Sequence, residues 1–303
     1  MKNLANVDLR FRVSAAMTLA IIALSFASIF ITRLEDAEVP PLVIAFYRMA
    51  ITTVLLLPPA LAFKRKEVAS LARKDFGLLA LGGLFLAIHV GAWITSLKYV
   101  PIATSVVLVN SHPLFVVIAS YFLLGERPTR RSILGIVTGL AGMAVISGHA
   151  FIGAFTGAFS GLQLALKGDG LALIGAMAVV GYFIVGRKAR ARISLLGYVA
   201  PVYAACSVIL LVFVLVSRDP LVPYSKSAWG YLAALAIVPT ILGHTLFNWS
   251  IKHVKATAIS LTFLGEPVVA SLLALMFFGQ RPPLATFIGG PLVLAGIYLT
   301  TSK

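Results

Sequence analysis

Residues 96–146 read SLKYVPIATSVVLVNSHPLFVVIASYFLLGERPTRRSILGIVTGLAGMAVI, and residues 250–300 read SIKHVKATAISLTFLGEPVVASLLALMFFGQRPPLATFIGGPLVLAGIYLT. One ungapped shift of 154 places lays the first on the second. Ser96-Leu97-Lys98-Tyr99-Val100 falls on Ser250-Ile251-Lys252-His253-Val254, and Pro113 falls on Pro267. Gly125 meets Gly279, Arg127-Pro128 meets Arg281-Pro282, Gly135 meets Gly289, and Ala141-Gly142 meets Ala295-Gly296. Self-similarity over one long period marks a chain built from a repeated unit.

The composition says what solvent that unit lives in. Of 303 residues, 60% are hydrophobic and only 12% are charged, with a mean hydropathy of +1.00. A soluble domain carries roughly 25% charged residues, so this chain lacks the polar surface to coat a water-facing globule. Apolar runs near the roughly 20 residues needed to cross hydrocarbon fall at 13–32, 41–63, 76–97, 102–124, 132–149, 170–186, 194–216, 228–250, 256–278 and 284–301. The expected fold is all-α integral membrane, with ten transmembrane helices as two five-helix repeats, 1–149 and 169–303. Residues 150–168, Gly-rich and apolar without a clear span, read as a linker on the periplasmic side. Met1 to Arg12 leads into a run longer than a signal peptide's apolar region, so the first helix is expected to be an uncleaved anchor.

The net charge of +15 would suggest nucleic acid in a soluble protein. Here the cations sit in short clusters between spans, where the positive-inside rule explains them, and no nucleic-acid partner is expected. With both termini inside, the cytoplasmic set is Lys2, Arg10, Arg12, Lys64, Arg65, Lys66, Arg73, Lys74, Arg127, Arg130, Arg131, Arg187, Lys188, Arg190, Arg192, Lys252, Lys255 and Lys303. Arg33, Lys98, Lys167, Arg218, Lys226 and Arg281 fall outside, and Arg48 lies within a span. This split predicts a multi-pass protein of the cell inner membrane with both termini cytoplasmic. Lys98 and its mate Lys252 then lie on opposite sides, so the two copies run in opposed senses, as an odd number of helices per copy requires. Inverted repeats are the usual geometry of alternating access. The single cysteine, Cys206, lies inside an apolar run and leaves no disulfide framework.

Ser96–Ile146 resembles the first EamA-type repeat of the drug/metabolite transporter superfamily, and Ser250–Thr300 resembles the second. Ala45-Phe46-Tyr47-Arg48, Gly168-Asp169-Gly170-Leu171-Ala172-Leu173 and Gly265-Glu266-Pro267-Val268 sit where such patterns occur in that family. The resemblance covers nearly the whole chain. It implies a ten-helix basket with a central cavity between the halves and, as an expectation, outward transport of amino acids or other metabolites. The second copy departs in carrying Gly279-Gln280-Arg281 where the first has Gly125-Glu126-Arg127.

Ionisable groups at membrane depth are costly unless they face a cavity or a partner, which singles out Arg48, His89, His112, His244 and Glu266. Glu266 lies eleven residues past Lys255, about 16 Å in at 1.5 Å per residue, and His112 is its repeat mate. Each precedes a proline, Pro113 or Pro267, which frees a carbonyl one turn back. Freed backbone at the midplane of two related helices points to a transport site; Asn110 and Ser111 add polar groups there. Arg48 suits a substrate carboxylate, with an ion pair to Glu266 or snorkelling as alternatives. If both face the cavity, Arg48 and Glu266 would suit a zwitterion. His89 and His244, one place from being repeat mates, read either as proton relays or as neutral histidines bonded across helices. Asn248, one turn beyond His244, can share its face. Trp93, one turn from His89, is the aromatic expected to line the cavity, whereas Tyr99 and Trp249 fall at span ends suited to an aromatic belt.

Gly135, Gly139, Gly142, Gly289 and Gly296 read as close-packing positions that buttress the basket or form a dimer face. No phosphate loop, helical metal pair or nucleophile elbow is present. The expected function is therefore secondary transport of a small-molecule substrate, without cofactor or bound metal. A proton is the candidate coupling ion, membrane lipid the surroundings, and a homodimer the candidate assembly. The alternatives are a multidrug or lipid-linked solute flippase and, more remotely, an intramembrane enzyme using the histidines and Glu266.

Overall fold

The computed structural model describes residues 2–124, 129–155, 159–250 and 265–301. Regular structure among them is helical: α1 (Lys2–Asp36), α2 (Pro41–Ala69), α3 (Arg73–Leu97), α4 (Ile102–Val109), α5 (His112–Leu124), α6 (Arg130–Phe155), α7 (Phe159–Arg190), α8 (Leu195–Ser217), α9 (Lys226–Leu235), a π-helical segment (Ala236–His244), α10 (Thr245–Ser250), α11 (Gly265–Phe278) and α12 (Leu284–Thr301). Six stretches are long and apolar enough to cross hydrocarbon alone, and three shorter apolar helices accompany them. The chain is an all-α integral membrane protein of ten transmembrane helices in two inverted five-helix repeats. Large apolar side chains such as Phe63, Val216 and Met276 face outward, while Arg48, Thr52, Asn110 and Glu266 are buried. Lipid as solvent favours that distribution, because polar groups must be satisfied inside the bundle.

The packing obeys the repeat. α3 lies on α7, and its mate pair is α1 on the π segment; α1 on α11 answers α5 on α7. Two contacts pair repeat mates with each other, α2 with α8 and α6 with α12. The second is a seam of glycines. A Cβ at Gly142 would stand 2.7 Å from the Gly289 carbonyl oxygen, and one at Gly296 would stand 2.6 Å from the Gly135 carbonyl oxygen. Only bare backbone fits at that spacing. These glycine faces meet within one chain, so they join the halves and do not form an exposed dimer face.

Two spans depart from the continuous helices expected of them. The fourth breaks at Asn110-Ser111 between α4 and α5. Pro113 has no N–H for the Val109 carbonyl one turn back, and His112 Nδ1 lies 3.4 Å from that oxygen. Asn110 Nδ2 donates to the Val106 carbonyl at 3.0 Å, and Ser111 Oγ donates to that of Leu108 at 2.6 Å. The eighth span widens into the π segment around Pro239, and Thr240 Oγ1 donates to the Leu235 carbonyl that Pro239 leaves open, at 3.0 Å. The stretch expected as a linker is helical on both sides of residues 156–158: α6 continues to Phe155 and α7 begins at Phe159. Gly125, Arg127-Pro128, residues 256–264 of the ninth span, Lys252, Lys255 and Lys303 lie outside the described residues.

Contacts between the halves close both ends of the bundle. At one end Glu67 Oε1 accepts the Ser194 N–H at 2.6 Å, and Asp75 pairs with Arg192. At the other, Tyr47 donates its hydroxyl proton to the Leu221 carbonyl at 2.9 Å, and its ring meets Trp229 edge-on at 4.8 Å. Under the 154-place shift Glu67 corresponds to Leu221 and Asp75 to Trp229, so matching positions fasten the two ends with different chemistry.

Overpacking the seam is expected to unfold the bundle early. Gly142→Leu should cost about 1–3 kcal/mol or more, read as a lower thermal unfolding midpoint in detergent. Gly77→Ala, where an added Cβ meets nothing within 4 Å, should be neutral or slightly stabilising.

Candidate functional site

Where α1, α3, α4, α5, α7, the π segment and α11 converge there is a cavity of about 40 Å³. It is lined by Leu24, His89, Trp93, Val109, Asn110, His112, Val179, Phe183, His244 and Glu266. Six of the eight residues singled out in the sequence are thus brought together: His89, Trp93, Asn110, His112, His244 and Glu266. Both repeats contribute, and His112 faces the same space as its mate Glu266. A water needs roughly 10–15 Å³ measured this way, so the volume holds a few waters and no larger solute.

The wall chemistry follows from how each side chain is pinned. His89 Nδ1 lies 2.9 Å from the Gly175 carbonyl oxygen. A carbonyl only accepts, so Nδ1 carries the proton and Nε2 of the neutral ring is an acceptor. Gly175 permits this approach, since a Cβ there would stand 3.3 Å from the His89 carbonyl oxygen and 3.5 Å from Trp93 Cβ. His112 turns Nδ1 to the Val109 carbonyl and packs edge-on against Phe183 at 5.2 Å. Glu266, in the first turn of α11, interacts with the Asn110 side chain. The rest of the lining is apolar: Leu24, Val109, Val179 and Phe183. Among the described residues no three His, Cys, Asp or Glu side chains are grouped to hold a metal ion.

Arg48 and Asn248 do not line the cavity. Arg48 is 1% exposed, donates from Nε to Thr240 Oγ1 at 2.8 Å, and lies with Cζ 5.8 Å from the Trp93 ring centre. Among the described residues it forms no ion pair, with Glu266 or any other carboxylate. Asn248 turns away from the cavity because Nδ2 finds acceptors elsewhere, the His244 carbonyl at 2.8 Å and the Tyr182 hydroxyl at 2.8 Å. It belongs to a buried cluster with Tyr182, Tyr198 and Tyr203. Of the span-end aromatics, Tyr99 receives Lys167 Nζ at 3.0 Å near the surface.

Phe183, Thr240 and the three tyrosines escaped the sequence reading. Thr240 had a legible signal, since it follows Pro239 and a hydroxyl there can take the carbonyl that the proline frees. Phe183 and the tyrosines carry no charge and sit in apolar runs, so nothing local separates them from core residues.

A model of the EamA-like transporter family matches residues 13–148 and again 166–302. An uncharacterized transporter of Archaeoglobus fulgidus is 25% identical over 95% of this chain and 96% of its own length. The pseudopaline exporter CntI of Pseudomonas aeruginosa is 25% identical over 88% of this chain and 89% of its own. A crystal structure superposes with a TM-score of 0.67 at 22% identity, covering 95% of this chain and 96% of that one; it supports the fold.

Thr240 holds Arg48 and the Leu235 carbonyl at once. Thr240→Val leaves buried Arg48 Nε without its acceptor, which costs about 1–3 kcal/mol or more for a charged group. The unfolding midpoint should fall accordingly, and Thr240→Ser, which keeps the hydroxyl, should restore most of it.

Proposed function

The chain belongs to the EamA-like transporter family, and from that premise we propose that it exports small amino-acid-like metabolites by alternating access around the midplane cavity. Membership makes it a membrane transporter of a small molecule, not an enzyme. The observation that carries the finer reading is the cavity itself. One inverted repeat sends in His112, the other sends in Glu266 from the matching position, and both line it. Sites shared across inverted repeats serve transport, because exchanging the conformations of the two halves moves the opening from one side to the other.

Two groups on this wall can accept, the Glu266 carboxylate and His89 Nε2. They suit a donor such as a substrate ammonium. Leu24, Val109, Val179 and Phe183 suit a short apolar side chain. Both ends of the bundle are fastened by contacts between halves, and the cavity is smaller than such a solute, so loading requires one end to part. Outward direction is supported by the name of CntI, an exporter. A proton is the coupling ion in this reading, with Glu266 as its carrier: the carboxylate holds either the substrate's ammonium or a proton, and so exchanges one for the other. Both termini are placed in the cytoplasm by the distribution of Lys and Arg.

Two measurements test this. In inverted vesicles assayed with a panel of labelled amino acids, Glu266→Gln should cut pH-gradient-driven transport at least tenfold and weaken substrate exchange as well; unchanged driven transport would remove Glu266 from the mechanism. In a Cys206→Ser background, Lys98→Cys should react with an impermeant maleimide in intact cells, and Lys252→Cys only after permeabilisation. Labelling of both from one side would overturn the proposed orientation.

A further inference from the structure

Two buried donors beside the cavity lack acceptors. Arg48 Nη1 and Trp93 Nε1 are both out of solvent without a hydrogen-bond partner, although their residues touch. A cation at membrane depth costs several kcal/mol unless an anion or a polar cavity answers it. A buried indole N–H ordinarily finds a partner too. Here Thr240 occupies Arg48 Nε alone, and no carboxylate among the described residues lies within ion-pair range. Trp93 links the two: it lines the cavity, and Arg48 Cζ stands 5.8 Å from the centre of its ring.

We propose that Arg48 Nη1 and Trp93 Nε1 form a carboxylate-binding subsite next to the cavity, with the Trp93 ring as its cover. The inference rests on the transport reading and deepens it, by placing the acidic end of the substrate. A guanidinium presents its donors in a fork that matches a carboxylate, and Thr240 fixes the plane of that fork by holding Nε. Turning the Trp93 ring aside would open the buried Arg48 guanidinium to the cavity, which in its present volume admits only water. A carboxylate then accepts from the guanidinium, while Glu266 across the cavity takes an ammonium. The preferred solute is a small zwitterion with an apolar side chain, and a simple monocarboxylate binds through the same end.

The test uses the full chain in detergent, with Trp229→Phe and Trp249→Phe making Trp93 the sole reporter among its three tryptophans. Its fluorescence is titrated with leucine, 4-methylpentanoate, 3-methylbutylamine and chloride, at ionic strength held by sulfate. Leucine and 4-methylpentanoate should give saturable changes; the amine and chloride should not. Arg48→Gln should weaken both carboxylates at least tenfold, with Arg48→Lys between. A second variant guards against misfolding. Trp93→Ala keeps the charge and removes the cover, so phenylglyoxal should modify Arg48 at least tenfold faster than in the unmodified protein, with leucine protecting. Equal response to the amine or to chloride, no response to either carboxylate, unweakened binding in Arg48→Gln, or an unreactive Arg48 in Trp93→Ala would each overturn the subsite. If Glu266→Gln stops export while Arg48→Gln exports normally, the transport reading stands and the subsite falls. If the unmodified protein exports nothing yet Trp93 answers carboxylates, the subsite stands and the transport reading falls.

Discussion

In hydrocarbon a backbone carbonyl that loses its intrahelical N–H must find another donor inside the protein, and the centre of this molecule is organised by that demand. Pro113 releases the Val109 carbonyl, which His112 Nδ1 approaches; Pro239 releases the Leu235 carbonyl, and Thr240 takes it. In each case the repairing side chain is also a site residue or its direct support. His112 keeps one ring nitrogen on the break and faces the cavity with the rest, while Thr240 turns its remaining hydroxyl capacity to Arg48. Part of the polar centre is therefore the repair of two interrupted helices by side-chain hydrogen bonds.

Symmetry supplies the frame, and departures from it supply the chemistry. The self-paired helices, α2 with α8 and α6 with α12, knit the halves along the axis that relates them. Along that frame the matched positions differ: His112 answers Glu266, Arg48 answers Val202, Tyr203 answers Met49, and Asn248 answers Ile94. A perfectly symmetric centre would offer the same groups to both ends of a solute. This one sets Glu266 on the cavity wall and Arg48 against Trp93, so the centre is chemically asymmetric although the frame is not.

Much of this was legible before any coordinates. The 154-place shift and the apolar spans gave the architecture because both are averages over many residues. His89, Trp93, Asn110, His112, His244 and Glu266 were identifiable because charge, amide or indole at membrane depth is anomalous on its face. The breaks at Asn110-Ser111 and Pro239 were only half legible. A proline announces a freed carbonyl, but whether the helix kinks, splits or widens depends on which side chain closes the gap. The turn of Asn248 toward Tyr182 could not be read locally, since the competing acceptor lies 66 residues away in sequence. Arg48 was foreseen as a cavity residue and proved to stand behind Trp93, a matter of side-chain direction that spacing along a helix does not determine.

The unlike fastenings at the two ends have a consequence for the surroundings of the protein. Asp75 and Arg192 attract through a field that dissolved ions attenuate, and Arg192 is half exposed to them. Tyr47 against Trp229 is ring packing with one neutral hydrogen bond, to which electrolyte is nearly indifferent. Raised salt therefore weakens the ionic fastening at one end and leaves the aromatic one at the other nearly unchanged.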